Sequence, residues 1–188
     1  MILSGTDEEK NIIEAFRRGD AMAMDRLYTC YARYLTSVCA RYLSDDDDLK
    51  DVLQESFIKI FSQINTFEYR GRGSLKAWVS RITVNECLMF LRNTRKDRFC
   101  VTDTDLPDLP DEEPDTEGLD MDTMTSLIQR LPEGYRLVLN LFVLEGKSHK
   151  EIGEILGIKP DSSASQLHRA KNMLAQMIKN KKKCSNER

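Results

Sequence analysis

Two histidines and five cysteines are the whole supply of imidazole and thiol side chains in this 188-residue chain. Cys30, Cys39, Cys87, Cys100 and Cys184 contain no CxxC pair, and neither histidine stands at ligand spacing from a cysteine. That excludes the usual zinc patterns. An odd, widely spaced set reads instead as reduced thiols of a cytosolic protein, used as small apolar side chains. No apolar run reaches the roughly 18 residues that a membrane span needs, so membrane insertion is not expected. The amino terminus, MILSGTDEEK, is acidic and has no long apolar stretch, so it is not expected to be a signal peptide. Also missing are a histidine paired with an acid, a glycine loop of the kind that cradles phosphate, and a nucleophile at usable spacing from a base. An enzyme with its own catalytic residues, metal or cofactor is therefore not expected. Val, Ile and Thr nowhere alternate as they would in a strand.

What is present is 40% hydrophobic and 31% charged, the composition of a soluble globular protein with room for one large or two small domains. The formal net charge of −3 conceals a division. Residues 1–100 carry 16 Lys+Arg against 15 Asp+Glu, a net of +1; residues 101–122 carry ten acids and no base; residues 123–188 carry 12 bases against six acids, a net of +6. The acidic strip VTDTDLPDLPDEEPDTEGLDMD has three prolines and too little apolar surface to offset its ordering entropy. It reads as a linker, at 99–121, between a first domain at 1–98 and a second at 122–183. It reads either as a solvated spacer or, more sharply, as an acidic mimic of nucleic acid.

Helical periods recur in both halves. Thr6 to Glu9 fits a capping box, with Gly19 closing the helix that follows. A long helix is expected from about Asp20 to Leu43, with Leu27, Tyr28, Tyr31, Tyr34, Leu35, Val38 and Tyr42 inward. The acids of SDDDD then open a helix whose inner stripe is Leu49, Val52, Leu53, Phe57, Ile60, Phe61 and Ile64. Ser74 is expected to cap a fourth, running to about Arg95 with Leu75, Trp78, Val79, Ile82 and Met89 inward. Beyond the strip, helices are expected near Thr123–Arg130, Pro132–Leu144, Ser148–Leu156 and Asp161–Asn180. The fold class is all-α: two small helical bundles joined by an acidic flexible linker.

Two stretches carry chemistry. In SHKEIGEILGIKPDSSASQLHRAK, Ser148 and Glu151 form a capping box for a two-turn helix facing inward with Ile152, Ile155 and Leu156. Gly157 suits the left-handed position that ends it, Ile158 returns to the core, and Pro160 restarts a helix at a steep angle. Helix, glycine turn, helix is the helix-turn-helix layout, in which the front of the second helix meets base edges in the major groove. Polar Ser162, Ser163, Ser165 and Gln166 suit base edges; His168, Arg169 and Lys171 suit phosphates. The second stretch, FEYRGRGSLKAW, interleaves Phe67, Tyr69 and Trp78 with Arg70, Arg72 and Lys76. Aromatic faces stack unpaired bases while arginines hold the backbone. Trp78, one turn into a helix, fits a core position better than a stacking platform.

These stretches, in this order, resemble the sigma factors of bacterial RNA polymerase, in the extracytoplasmic-function group, over about Phe16 to Met177. DLKDVLQESFIKIF is similar to the family's core-polymerase-binding helix, which implies that Asp51, Gln54 and Glu55 face the polymerase clamp. FEYRGRGSLKAWVSRITVNECLMFLR is similar to the promoter-melting loop and the helix reading the minus-ten element, which adds Arg81 and Asn85 to the DNA contacts. The region from Leu131 to Lys171 is similar to the domain reading the minus-thirty-five element. The resemblance implies RNA polymerase core enzyme and promoter DNA as partners, an anti-sigma factor, action in the cytoplasm, and no catalytic residues. It also places the acidic strip where the family's linker runs toward the RNA exit path. Two departures bear on promoter choice. Asp161 to Gln166 lack two basic residues frequent at the front of the recognition helix, and Met89 replaces a frequent Asp. The competing reading is an ordinary helix-turn-helix regulator with an amino-terminal sensing or dimerising bundle, which leaves FEYRGRG unexplained.

Overall fold

A computed structural model describes residues 5–94 and 114–186, with side chains described for 8–94 and 114–183. The chain separates into two compact units, Met1–Arg92 and Asn93–Arg188. Among the described residues every regular element is helical, and no helix is long and apolar enough to cross a membrane.

The first unit is built from α1 (Gly5–Arg17), α2 (Ala23–Tyr42), α3 (Asp46–Gln63), a 3₁₀ turn at Ile64–Thr66 and α4 (Ser74–Thr94). Helix α1 ends at Gly19 as expected: Gly19 N–H reaches the Phe16 carbonyl at 3.0 Å and Asp20 N–H that of Ala15 at 2.9 Å, the paired bonds of a Schellman end. Thr6 lies outside the described side chains. Helix α3 starts on Asp45, whose carboxylate accepts the N–H groups of Asp47 and Asp48, each at 3.0 Å. The Asp48 and Asp47 N–H bonds hold that carboxyl below its ordinary range. The core joins Ile12, Ile13, Leu27, Tyr31, Leu35, Phe57, Ile60, Ile64, Phe67, Leu75 and Val79. Helices α3 and α4 are also tied by Lys59, whose ammonium donates to both oxygens of buried Glu86 at 2.7 Å.

Four expectations for this unit need correction. Ser74 is the first residue inside α4, so the capping position falls to Gly73, which has no side chain to cap with. Met89 faces solvent at 45% exposure, and Tyr28 is also exposed, covering only the edge of Phe57 at a centroid distance of 4.8 Å. Cys39 and Cys87 are core residues, whereas Cys30 is exposed. Cys100 and the Cys184 side chain lie outside the described residues.

The second unit holds α5 (Met121–Gln129), α6 (Glu133–Leu139), a π turn at Asn140–Leu144, α7 (His149–Leu156) and α8 (Pro160–Asn186). The single helix expected over Pro132–Leu144 therefore widens into a π turn halfway. Helix α5 starts earlier than expected because Asp120 caps it, accepting Thr123 N–H at 2.7 Å. Gly157 takes the left-handed conformation (φ +70°), and Ile158 is half-buried. Gly153 has a separate role: a Cβ there would lie 2.7 Å from the Ile158 carbonyl oxygen, so only glycine lets the turn fold back this closely on α7. Residues 99–113 of the expected linker lie outside the described residues. Past them, Asp115 pairs with Lys182 near the end of α8 at 2.7 Å.

Candidate nucleic-acid interface

The loop between the 3₁₀ turn and α4 needs two glycines in positive φ, Gly71 (+117°) and Gly73 (+84°), and these project Arg72 into solvent between them. Thr66, Phe67, Glu68, Arg70, Ser74, Ala77, Trp78 and Arg81 line a cleft of about 640 Å³. Phe67 is buried and packs on Trp78 at 5.1 Å between ring centroids, so Phe67 forms the floor of the cleft rather than a free stacking face. Trp78 is half-buried, presenting part of its ring. Arg70 is exposed and makes a 3.4 Å ion pair with exposed Glu68, a contact worth little in water. Arg70 N–H donates to Ser74 Oγ at 3.2 Å, which is where the serine expected to cap α4 is engaged.

Tyr69 and Lys76 are placed away from the cleft lining. Lys10 of α1 lies over the Tyr69 ring at 5.6 Å, and the Tyr69 hydroxyl is buried with no partner among the described residues. The Lys76 ammonium stands over the Tyr34 ring at 4.2 Å. Arg81 and Asn85 are exposed, and with Ala77, Met89 and Arg92 they form one open face of α4 that starts at the cleft. On α3, Asp51, Gln54 and Glu55 are all exposed, opposite buried Val52, Phe57 and Ile60.

In the second unit the register of α8 divides the expected base and phosphate contacts. Ser165 and His168 are exposed, and Ser162, Arg169 and Lys171 are half-buried. Ser163 and Gln166 are turned inward, at 0% and 6% exposure, which removes them from the outer face and corrects their expected contact with bases. For Ser163 the physical reason is a contact between the helices: its Oγ bonds His149 Nδ1 of α7 at 3.0 Å, and the His149 ring stacks on Phe142 at 4.7 Å. Further along, Arg169 reaches the Tyr135 hydroxyl at 3.5 Å, and His168 Nε2 sits 3.2 Å from Asn172 Nδ2. The box that starts α7 is complete. Ser148 N–H and Oγ–H each donate to Glu151 Oε2 at 2.9 Å, and Glu151 N–H returns to Ser148 Oγ at 3.3 Å. The Ser148 backbone N–H, then its hydroxyl, then Lys147 hold the Glu151 carboxyl down at about 2.

Two further residues have roles that their sequence signals, each within a local capping box, did not point to. Glu9 of α1 is buried at 7% exposure, and its carboxylate meets the front of α4. His149 read only as part of a capping box, but it sets the seat of α8. Among the described residues no three of His, Cys, Asp or Glu come together in a way that could hold a metal ion.

Two family models match the chain, Sigma-70 region 2 over residues 27–97 and Sigma-70, region 4 over residues 121–174, together more than half of its length. Among curated proteins it is 28% identical to the ECF RNA polymerase sigma-E factor of Haemophilus influenzae, over 90% of this chain and 95% of that one. It is 29% identical to the ECF RNA polymerase sigma factor SigE of Mycolicibacterium smegmatis, over 83% of this chain and 63% of that longer one. It is 27% identical to the ECF RNA polymerase sigma factor SigW of Bacillus subtilis, over 90% of this chain and 96% of that one.

Proposed function

Because the chain belongs to the sigma-70 family as an extracytoplasmic-function sigma factor, which directs RNA polymerase core enzyme to promoters, we propose that its two units divide that work by residue as follows. Domain 1–98 docks on core polymerase through the outer face of α3, with Asp51, Gln54 and Glu55 as contacts, and reads the opened minus-ten element. Domain 122–183, joined to it by the acidic linker 99–121, reads the minus-thirty-five element with the exposed face of α8. The polymerase supplies all the chemistry, the complex works in the cytoplasm, and an anti-sigma factor holds the chain inactive until released.

The observation that carries the minus-ten assignment is the cleft beside the glycine loop. It has an aromatic floor in the half-buried Trp78, backed by buried Phe67, and a cationic rim in Arg70 and Arg81. An unpaired base stacks on such a floor at about 1–3 kcal/mol, enough to offset much of the few kcal/mol that flipping costs. Duplex DNA offers no separate base to such a cleft; its grooves admit a helix instead. The exposed face of α4 through Arg81 and Asn85 continues from the cleft and suits the strand on either side of the captured base. Tyr69 belongs to the same loop, half-buried with Lys10 over its ring.

The test is a holoenzyme in which Tyr69, Arg70 and Arg72 are replaced together by Ala. Closed promoter binding is expected to persist while strand opening, read by permanganate reactivity of unpaired thymines, is lost. A variant that opens the promoter as well as the parent would take the melting role from this loop and favour a plain helix-turn-helix regulator for this region.

A further inference from the structure

Helix α4 starts without a cap of its own. The capping position is Gly73, which has no side chain, and the third helical residue is Lys76, which cannot accept a hydrogen bond. In a local capping box, a side chain at the first position accepts from the third N–H, and a side chain at the third accepts from the first N–H. Both acceptors are missing here, yet both N–H groups are bonded. Glu9, 64 residues earlier, accepts Gly73 N–H on Oε2 at 3.0 Å and Lys76 N–H on Oε1 at 3.3 Å. Its Oε1 also accepts the Tyr31 hydroxyl at 3.2 Å. Burial first, and then the negative charge of Glu9, push the Tyr31 hydroxyl well above its ordinary range, which keeps it a donor. One residue on, Lys10 lies over Tyr69 at the other end of the same loop.

We infer that Glu9 is the positioning residue of the strand-opening loop: its carboxylate is the cap of α4, supplied from α1, and it fixes Gly73 and therefore the direction in which Arg72 projects. This rests on the reading of the loop proposed above. The geometry is economical for a single-strand site. A Ser or Asp at position 73 would cap α4 locally, but φ of +84° disfavours any side chain there. Taking the cap from another helix lets position 73 stay glycine, with no side chain where a nucleic-acid backbone must come close, and the loop still ends in a rigid helix. The negative charge also sits at the positive end of α4, where the helix dipole favours it.

The experiment compares Glu9→Gln, Tyr31→Phe and the triple-alanine loop variant in the full chain. Glu9→Gln keeps the size of the side chain but turns an amide donor toward one of the two N–H groups. Amide hydrogen exchange at Gly73 and Lys76 is expected to rise about ten-fold, with core binding and closed promoter binding unchanged and open-complex formation reduced about ten-fold, the scale of a lost helix cap. Tyr31→Phe disturbs the same buried site but leaves both backbone bonds, so it should exchange and open like the parent. Glu9→Asp, one methylene short of reaching both N–H groups, reads the same way as Glu9→Gln if the glutamine variant does not fold. Unchanged exchange at Gly73 in the Glu9 variants overturns the inference. So does equal loss of opening in Tyr31→Phe, which would mean general loosening of the unit. If exchange rises and opening is normal while the triple-alanine variant fails to open, Glu9 does not position the loop but the loop reading stands. If the triple-alanine variant also opens normally, the loop reading itself has failed.

Discussion

A serine near the front of a recognition helix is useful only on the side that faces DNA, and two residues of register decide which serine that is. Ser163 and Ser165 look equivalent in the sequence. In the fold Ser163 is spent on His149 at 3.0 Å, while Ser165 is exposed and donates only to the Asp161 carbonyl of its own helix, also at 3.0 Å. Its oxygen lone pairs stay available to a base edge. Gln166 has followed Ser163 inward. The expected outcome is a division of phenotypes. Ser165→Ala should relax the preferred base at one position of the minus-thirty-five element, at about 1–3 kcal/mol of discrimination. Gln166→Ala should leave the base preference alone and lower the stability of the second unit by about 1–3 kcal/mol. Selection from a randomised promoter library measures the first, and urea unfolding the second. A changed base profile in Gln166→Ala would mean that the helix turns its other face to DNA.

Helix α7 is short, eight residues from His149 to Leu156, so its ends matter more than its propensity. Glu151 binds its proton only near pH 2 in the fold and near its ordinary 4.5 when the box is broken. Between those values the unfolded chain takes up the extra proton, so this contribution is complete above about pH 4.5 and fades as pH falls toward 2. In Glu151→Gln the fading part is gone. Acidification from about pH 5 to about pH 2.5 is therefore expected to lower the melting temperature less in the variant than in the parent, as followed by circular dichroism. Parallel curves would detach the box from acid stability. This element was legible because its signals are local: Ser148 and Glu151 three residues apart, Gly157 at the end, Pro160 at the restart. Asp45 at the head of α3 was legible for the same reason. The start of α4 was not. Ser74 is the residue local rules choose as a cap, but the cap is a carboxylate 64 residues away, and no spacing rule reaches that far. The inward turn of Ser163 was hidden in the same way, because it is set by His149 of a neighbouring helix rather than by its own.

On the scale of the whole molecule, charge is sorted by task. Residues 101–122 carry ten acids and no base, and the +6 of residues 123–188 lies in the unit proposed to read upstream DNA. On the first unit the acids are concentrated on α3, with Asp45 to Asp48 at its head and Asp51 and Glu55 on its outer face. Basic charge is spread along the first unit, and Arg70, Arg72, Lys76 and Arg81 put part of it on the loop and on α4. Under the proposed roles, an acidic docking face and a basic DNA face would keep the two partners from exchanging places, since like charges set against each other cost several kcal/mol. The docking face is separable from stability for a packing reason. Asp51 and Glu55 are exposed and outside the core, and the tie between α3 and α4 is made by Lys59 and Glu86 instead. Replacing Asp51 and Glu55 together by Lys should therefore leave the helical signal and the unfolding midpoint of the first unit close to the parent's. Affinity for core enzyme should fall by about ten-fold or more, because reversal turns attraction into repulsion at the contact. Adding the same double change to Lys171→Ala should not deepen the loss of upstream DNA affinity, since each unit has its own core and the two surfaces share no partner. Co-purification with core enzyme and a salt titration of promoter binding read the two effects separately. A double variant that still co-purified at the parent's level would move the docking face off α3, and the exposed side of another helix in the first unit would have to take its place.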